Sequence, residues 1–231
     1  ELDVAASGTR VVGGRLEAVN ADRLEPDAAG SERLEAYRSQ HADLYVSIGQ
    51  TAAPLPRRYY AESTLGNALA DIVRDAVDAQ IGLMPSGALR RELPQGAVRR
   101  GDLLDAFPFQ DRVARIELTG DVLVRVLEQG LSLERGLLQI SGLAIDYDPS
   151  RPSGSRLVSA RVNGETLVSD KVYTVGTHEI LAAGGDQFTQ FSAATSNELM
   201  ALTFADALLR AFEARELVSV PMVGRYRVLS D

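Results

Sequence analysis

Cysteine is missing from this 231-residue chain. Its absence removes disulfides, cysteine-based zinc sites and thiol nucleophiles together. Histidine is almost as scarce, with only His41 and His178, so imidazole-based metal sites are restricted. Lys171 is the only lysine, and the other Lys/Arg residues are all arginine, a bias given little functional weight. No stretch approaches the roughly 18–20 consecutive apolar residues of a membrane helix, so the chain contains no such span. Positive charge is also short: 24 Lys+Arg stand against 32 Asp+Glu, a formal net charge of −8. That balance argues against a nucleic-acid polymer as partner, because phosphate backbones call for a basic surface. Internal repeats and low-complexity segments are lacking. So are the G-x-x-x-x-G-K-[ST], G-x-G-x-x-G and G-x-S-x-G motifs of phosphate loops, dinucleotide sites and nucleophile elbows. Position 1 is Glu rather than Met and no charged-then-apolar leader follows, which reads as a processed or excised piece of a longer product.

What remains is ordinary globular material, 45% hydrophobic and 24% charged. A chain of this length buries roughly 70% of its unfolded surface, enough for a core without covalent staples. It fits one large domain or two small ones.

Along the chain, residues 8–19 suggest a hairpin turning at Gly13-Gly14, and the polar stretch around Pro26–Gly30 a linker. The spacing of Leu34, Tyr37, His41 and Leu44 predicts a helix over 31–44 with His41 on its apolar face, a core or semi-buried histidine. Residues 46–56 read as extended. Ser63 or Thr64 caps a firmer helix that buries Leu65, Leu69, Ile72, Val73, Ala76 and Val77. Residues 81–84 form a buried strand ending at Pro85, and 112–118 alternate as a half-buried strand. Thr119-Gly120-Asp121 opens a helix carrying Val122, Leu123, Val126, Leu127 and Leu131. Strands follow at 137–147, 157–162 and 171–176, with a hairpin at Asn163-Gly164, then a helix over 202–214 and a strand over 224–229. Strands lie too close together for crossover helices throughout, so the class is α/β (α+β) rather than doubly wound.

Three loops stand out chemically. Met84–Arg90 ends a strand in a turn and delivers an arginine, whose planar fork suits carboxylate or phosphate. Phe107-Pro108-Phe109 offers two rings to a flat ligand. Gly184-Gly185-Asp186 offers a carboxylate to ligand hydroxyls. Each has a plain structural alternative: Arg90 as a surface charge, the phenylalanines as core, the glycine pair as a connecting turn. His178, beside Glu179, suggests acid–base work, but one His and one Glu make no mechanism and a structural role is preferred.

Taken together and in order, these segments resemble the C-terminal, substrate-binding domain of the family of 5'-nucleotidases, UDP-sugar hydrolases and 2',3'-cyclic phosphodiesterases. The landmarks are Glu62–Asn67, the Arg90 loop with Leu93-Pro94, Gly101-Asp102-Leu103, Phe107-Pro108-Phe109 and Glu117–Gly120. Gln139–Leu143, Tyr147–Arg151, Val162-Asn163-Gly164 and Ala182–Asp186 complete them, so that the resemblance covers residues 45–229. It implies a four-layer α/β/β/α fold. It further implies that residues 1–25 are a remnant of a preceding metallophosphoesterase domain, 26–48 an inter-domain linker helix, and 49–231 the C-terminal domain.

In this family the preceding domain holds a divalent metal pair and does the hydrolysis, and its motifs do not occur here. No catalytic or metal-binding residue and no cofactor is therefore expected in this chain, which would be inactive alone. Its implied partners are its own N-terminal catalytic domain and a nucleotide or nucleoside-containing small molecule, in nucleotide catabolism, with an exported location (periplasmic, cell-wall or extracellular). The implied substrate-binding set is Arg90, Phe109, Asp186, Gly184, Gly185, Ile180, Ser86 and Tyr59. Phe109 corresponds to the first of two base-sandwiching rings, Asp186 to a ribose-binding aspartate and Arg90 to the arginine closing a glycine-rich loop. Ile180 stands where the second ring falls, Tyr59 where some members have arginine, Pro85 for an asparagine and Gln187 for a glycine. These departures keep two alternatives open: a diverged non-catalytic binding or structural module, or a related hydrolase for a non-nucleotide phosphoester.

Overall fold

Caps and glycines, more than propensity, decide where the elements of this protein begin and end. The computed structural model describes residues 2–5, 7–15, 18, 20, 22–214 and 221–229. The chain divides into two units, residues 1–42 and 43–231.

In the first unit, β1 (Leu2–Ala5) pairs antiparallel with β2 (Gly8–Val11), Leu2 facing Val11. The hairpin thus closes between Ala5 and Gly8, not at Gly13-Gly14, and Val12 to Arg15 belong to no strand. Gly8 explains the shift, because its φ of +133° lies where side chains are disfavoured. Leu16, Glu17 and Val19 of the expected hairpin lie outside the described residues. Helix α1 (Ala28–Gln40) starts three residues early, since Asp27 Oδ2 accepts from the Gly30 N–H at 2.6 Å and caps it. Its expected apolar face is not buried: Leu34 and Tyr37 are more than half exposed, and His41 is an exposed C-terminal cap rather than a core histidine. Two large apolar residues within 13 do not make a stripe wide enough to bury.

The second unit contains, in chain order, β3 (Ser47–Thr51), α2 (Thr64–Ala76), β4 (Ile81–Pro85), β5 (Gly96–Arg99), α3 (Arg100–Ala106), β6 (Arg112–Thr119) and α4 (Gly120–Ser132). Then come β7 (Leu138–Ser141), β8 (Leu143–Tyr147), β9 (Leu157–Val162), β10 (Glu165–Thr166), β11 (Val172–His178), α5 (Glu179–Ala182), β12 (Ser196–Thr203), α6 (Phe204–Glu213) and β13 (Tyr226–Val228). Ser63 caps α2 by accepting from the Gly66 N–H at 3.1 Å, and Thr119 and Thr203 cap α4 and α6 in the same way. Leu65, Leu69, Ile72, Val73 and Val77 are buried as their spacing predicts. Ala76, the last residue of α2, is exposed instead and lines a shallow depression with Leu202 and Ala211.

Five strands form the central sheet in the order β12-β6-β11-β4-β7, and four form a second sheet in the order β10-β9-β8-β13. β3 and β5 make a separate antiparallel pair. Within the central sheet β4 and β11 run parallel, while the other pairings are antiparallel. One apolar cluster joins α2, α3 and α6 through Leu65, Leu69, Leu103, Phe204 and Phe212. The other joins α4 and both sheets through Ile116, Leu123, Val126, Ile145 and Val162. Gly82 sets the approach of α2 to the sheet, because a Cβ there would stand 2.0 Å from the Ala70 carbonyl oxygen. The mixed α/β class expected from the sequence is the one found.

Two strand expectations need correction. Residues 137–147 form two strands in different sheets, separated at Gly142 with φ +70°. The apolar run hides the break, because only the glycine marks it. β12 is a mostly exposed edge strand with no clear alternation, and the expected helix over 202–214 starts only at Phe204. At Asn163-Gly164 both residues have positive φ, +50° and +89°, as a two-residue hairpin turn requires.

Candidate functional site

Parallel strands that end side by side leave a crevice at their carboxyl ends, where ligands of α/β proteins settle. β4 delivers residues 86–90 to such a place and β11 delivers residues 178–186. Between them lies a cavity of about 450 Å³, whose walls include Tyr59, Arg90, Phe109, Ile180 and Asp186. Gly87, Ala88, Asp111, Arg135 and His178 complete the lining. Five of the eight residues singled out from the sequence therefore converge, although Tyr59 and Asp186 are far apart in the chain.

The remaining three do not line the cavity. Ser86 is buried, donates through Oγ to the Leu137 carbonyl at 2.5 Å and accepts from Gln139 Nε2 at 2.8 Å, so its hydroxyl is spent on the fold. Gly184 (φ +85°) and Gly185 shape the turn rather than face the cavity. A Cβ on Gly185 would stand 2.4 Å from Ile180 Cγ2, so only glycine lets the turn fold back there. Asp186 follows in a left-handed conformation, φ +52°.

The two rings of Phe107-Pro108-Phe109 separate in role. Phe107 is fully buried, 4.4 Å from the Phe204 ring centroid. Phe109 is half-buried on the cavity wall, with the Arg90 guanidinium 5.2 Å from its centroid, within cation–π range. The Arg90 backbone is tied by its N–H to the Ala106 carbonyl at 2.8 Å, which links the arginine loop to the phenylalanine loop. Ile180, half exposed, offers a branched aliphatic surface and no second ring. Tyr59 accepts through its backbone carbonyl from the Leu137 N–H at 2.8 Å. A Cβ on Gly136 would stand 2.8 Å from that same oxygen, so the turn carrying Arg135 sits tight against Tyr59.

Sequence reasoning missed Asp111 and Arg135. Asp111 had a signal, since it follows Phe109 by two residues in an extended segment; Arg135 had none, its place being set by the long-range pairing of β7 with β4. His178 is both structural and part of the wall: it is 4% exposed, and Nδ1 lies 3.0 Å from Asp111 Oδ2. Burial pushes its pKa below the ordinary value, outweighing the upward pull of Asp111 and Asp186. Neighbouring Glu179 turns away, bound by Arg112 at 2.8 Å, which holds its carboxyl below the usual range. Among the described residues, no three His, Asp or Glu side chains are grouped so as to hold a metal ion, and no helix is long and apolar enough to cross a membrane.

The chain is similar in sequence and fold to known proteins. The trifunctional nucleotide phosphoesterase of Bacillus subtilis is 29% identical over 195 residues, covering 77% of this chain and 13% of that protein. An apyrase of Aedes albopictus is 30% identical over 195 residues, covering 76% of this chain and 35% of the apyrase. This chain thus spans about a third or less of those two relatives. Among solved structures, the 5'-nucleotidase precursor of Thermus thermophilus superposes with a TM-score of 0.80 at 27% identity, over 88% of this chain and 43% of that one. The NAD nucleotidase of Haemophilus influenzae, at 16% identity and TM-score 0.73, shares the fold over 88% of this chain and 42% of its own. Residues 47–193 match the family described as 5'-nucleotidase, C-terminal domain, and the chain belongs to that family.

Proposed function

We propose that this chain is the substrate-recognition part of a metal-dependent 5'-nucleotidase-like phosphohydrolase, active in nucleotide catabolism outside the cytoplasm. The observation that carries the reading is convergence: Arg90, Phe109 and Asp186, from three separate loops, line one cavity in a chain of this family. Phe109 supplies a stacking surface for a base, worth about 1 kcal/mol beyond buried area. Asp186 accepts hydrogen bonds from sugar hydroxyls, and Arg90, without a carboxylate partner among the described residues, supplies permanent positive charge. In this reading residues 1–25 end a preceding metallophosphoesterase domain, 26–48 link it, and 49–231 bind the nucleoside part. A divalent metal pair held by that other domain would activate water for attack on phosphorus. Residues of this chain would fix the ester's position, which is how binding energy lowers a barrier without touching the reacting bond.

Titration of the chain with nucleosides, nucleotides and UDP-sugars tests the reading. Saturable binding, weakened about tenfold or more by Arg90→Ala and by Phe109→Ala, supports it. No binding at millimolar concentration favours a diverged binding module, a reading that Ile180 motivates by leaving the stacking surface one-sided. The isolated chain is expected to release no phosphate from the nucleotides and to cleave no UDP-sugar, and EDTA-sensitive turnover would contradict the division of labour.

A further inference from the structure

One buried polar atom of the cavity has no use in that reading. A carboxylate only accepts, so at the 3.0 Å contact His178 Nδ1 carries the proton and donates it to Asp111 Oδ2. The other ring nitrogen, Nε2, is buried and without a hydrogen-bond partner among the described residues. Buried polar atoms are satisfied with few exceptions, and one belonging to a cavity-lining residue invites its partner from a ligand. Because burial keeps the ring neutral near pH 7, Nε2 is a bare lone pair, an acceptor.

Asp111 adds a second acceptor. Its Oδ1 has no hydrogen bond among the described residues, its side chain is 18% exposed, and it lines the same cavity two residues beyond Phe109. The charged groups around the imidazole are Asp111 from the segment before β6, Asp186 from the turn after α5, and Arg90 and Arg135 across the cavity. The Phe107 ring packs against the imidazole at an interplanar angle of 78°, its centroid 6.0 Å away.

Building on the nucleoside-binding reading above, we propose that the Asp111–His178 pair determines specificity by accepting hydrogen bonds from the edge of a flat ring seated against Phe109. The favoured ring carries a lactam N–H on that edge, as hypoxanthine and guanine do. The two acceptors then face the N1 and C2 positions, where guanine offers two donors and hypoxanthine one, whereas adenine in the same seat sets its N1 lone pair against an acceptor and carries its 6-amino donor on the far side of N1.

Calorimetric titration of the whole chain with inosine, 1-methylinosine and adenosine at pH 7.5 tests this. Inosine is expected to bind on the order of tenfold to a hundredfold more tightly than the other two, the range for a hydrogen bond to a charged group. Asp111→Asn keeps a carbonyl to accept from Nδ1–H but places an amino donor where the free oxygen was, so preference should turn toward adenosine. A merely structural role would weaken inosine and adenosine alike in that variant. Equal affinity for inosine and 1-methylinosine, or an unchanged inosine-to-adenosine ratio in Asp111→Asn, would overturn this proposal while leaving the nucleoside site standing. Failure of all three nucleosides to bind would overturn both.

Discussion

Where β13 meets α2, Arg225 donates to Asp71 Oδ2 at 2.8 Å and to the Ile140 and Asn67 carbonyls. Glu62 beside it accepts from the Arg225 N–H at 3.0 Å, the Gly224 N–H at 2.8 Å and Asn67 Nδ2 at 2.7 Å. In the cavity, Arg90, Arg135 and Asp186 share one space with no ion pair among them. Both regions mix arginine with carboxylate, yet Arg225, Asp71 and Glu62 are bonded into the fold while Arg90, Arg135 and Asp186 are not paired with one another. The rings repeat the contrast, Phe107 being enclosed and Phe109 open. Charge and aromaticity therefore single out the proposed site only where they remain unsatisfied.

The contrast can be broken in four ways. Phe107→Ala should cost about 3–4 kcal/mol in urea unfolding, as truncation of a fully buried ring does. Phe109→Ala should cost less than half of that; equal losses would erase the distinction. Arg225→Ala strands Asp71, whose side chain is only 28% exposed, and should cost about 2 kcal/mol, below the 3–5 kcal/mol of a fully buried pair. Arg90→Ala and Arg135→Ala, measured in the same way, should stay within about 0.5 kcal/mol of wild type. A large loss at either would show that the cavity arginines hold the fold.

The smallest expected effect concerns Asp146 on the second sheet. Hydrogen bonds from Arg227 at 2.7 Å and from Ser159 at 2.6 Å, more than the charge of Arg161, bring its pKa from 3.8 to about 2. A carboxyl with a lowered folded-state pKa stabilises above its unfolded value of 3.8 and loses that contribution as pH falls through about 2. The stability gap between wild type and Asp146→Asn should accordingly shrink between pH 5 and pH 2. A constant gap across urea titrations in that interval would mean that the carboxylate is not held by these partners.

Much of the fold was legible wherever the information is local. Ser63 and Thr119 announce their helices because a cap bonds three residues away, and Asn163-Gly164 announces its hairpin by its own dihedral angles. The apolar stripes of α2 and α4 also survive translation into packing, apart from Ala76 at the edge. The first hairpin slipped because two glycine positions competed, and the chain turns just before Gly8 rather than at Gly13-Gly14. α1 shows the reverse error, a periodic pattern too thin to bury. At the site, Tyr59, Arg90, Phe109, Ile180 and Asp186 were found by their ordered resemblance, not by periodicity. Arg135 escaped because strand pairing across some fifty residues brings it to the wall, and His178 because a lone histidine says nothing until its Asp111 partner is placed.

Gly142 has a mechanical consequence. It is the only residue between an edge strand of the central sheet and a central strand of the second sheet. A Cβ there would stand 2.1 Å from the Gln80 carbonyl oxygen, so the crossing is made with no slack and little room for another residue. Two layers stitched by so short a seam cannot peel apart one after the other, since pulling β8 loose tugs directly on β7 and through it on β4, the strand that presents Arg90. Melting of the second sheet and loss of the cavity should be a single event.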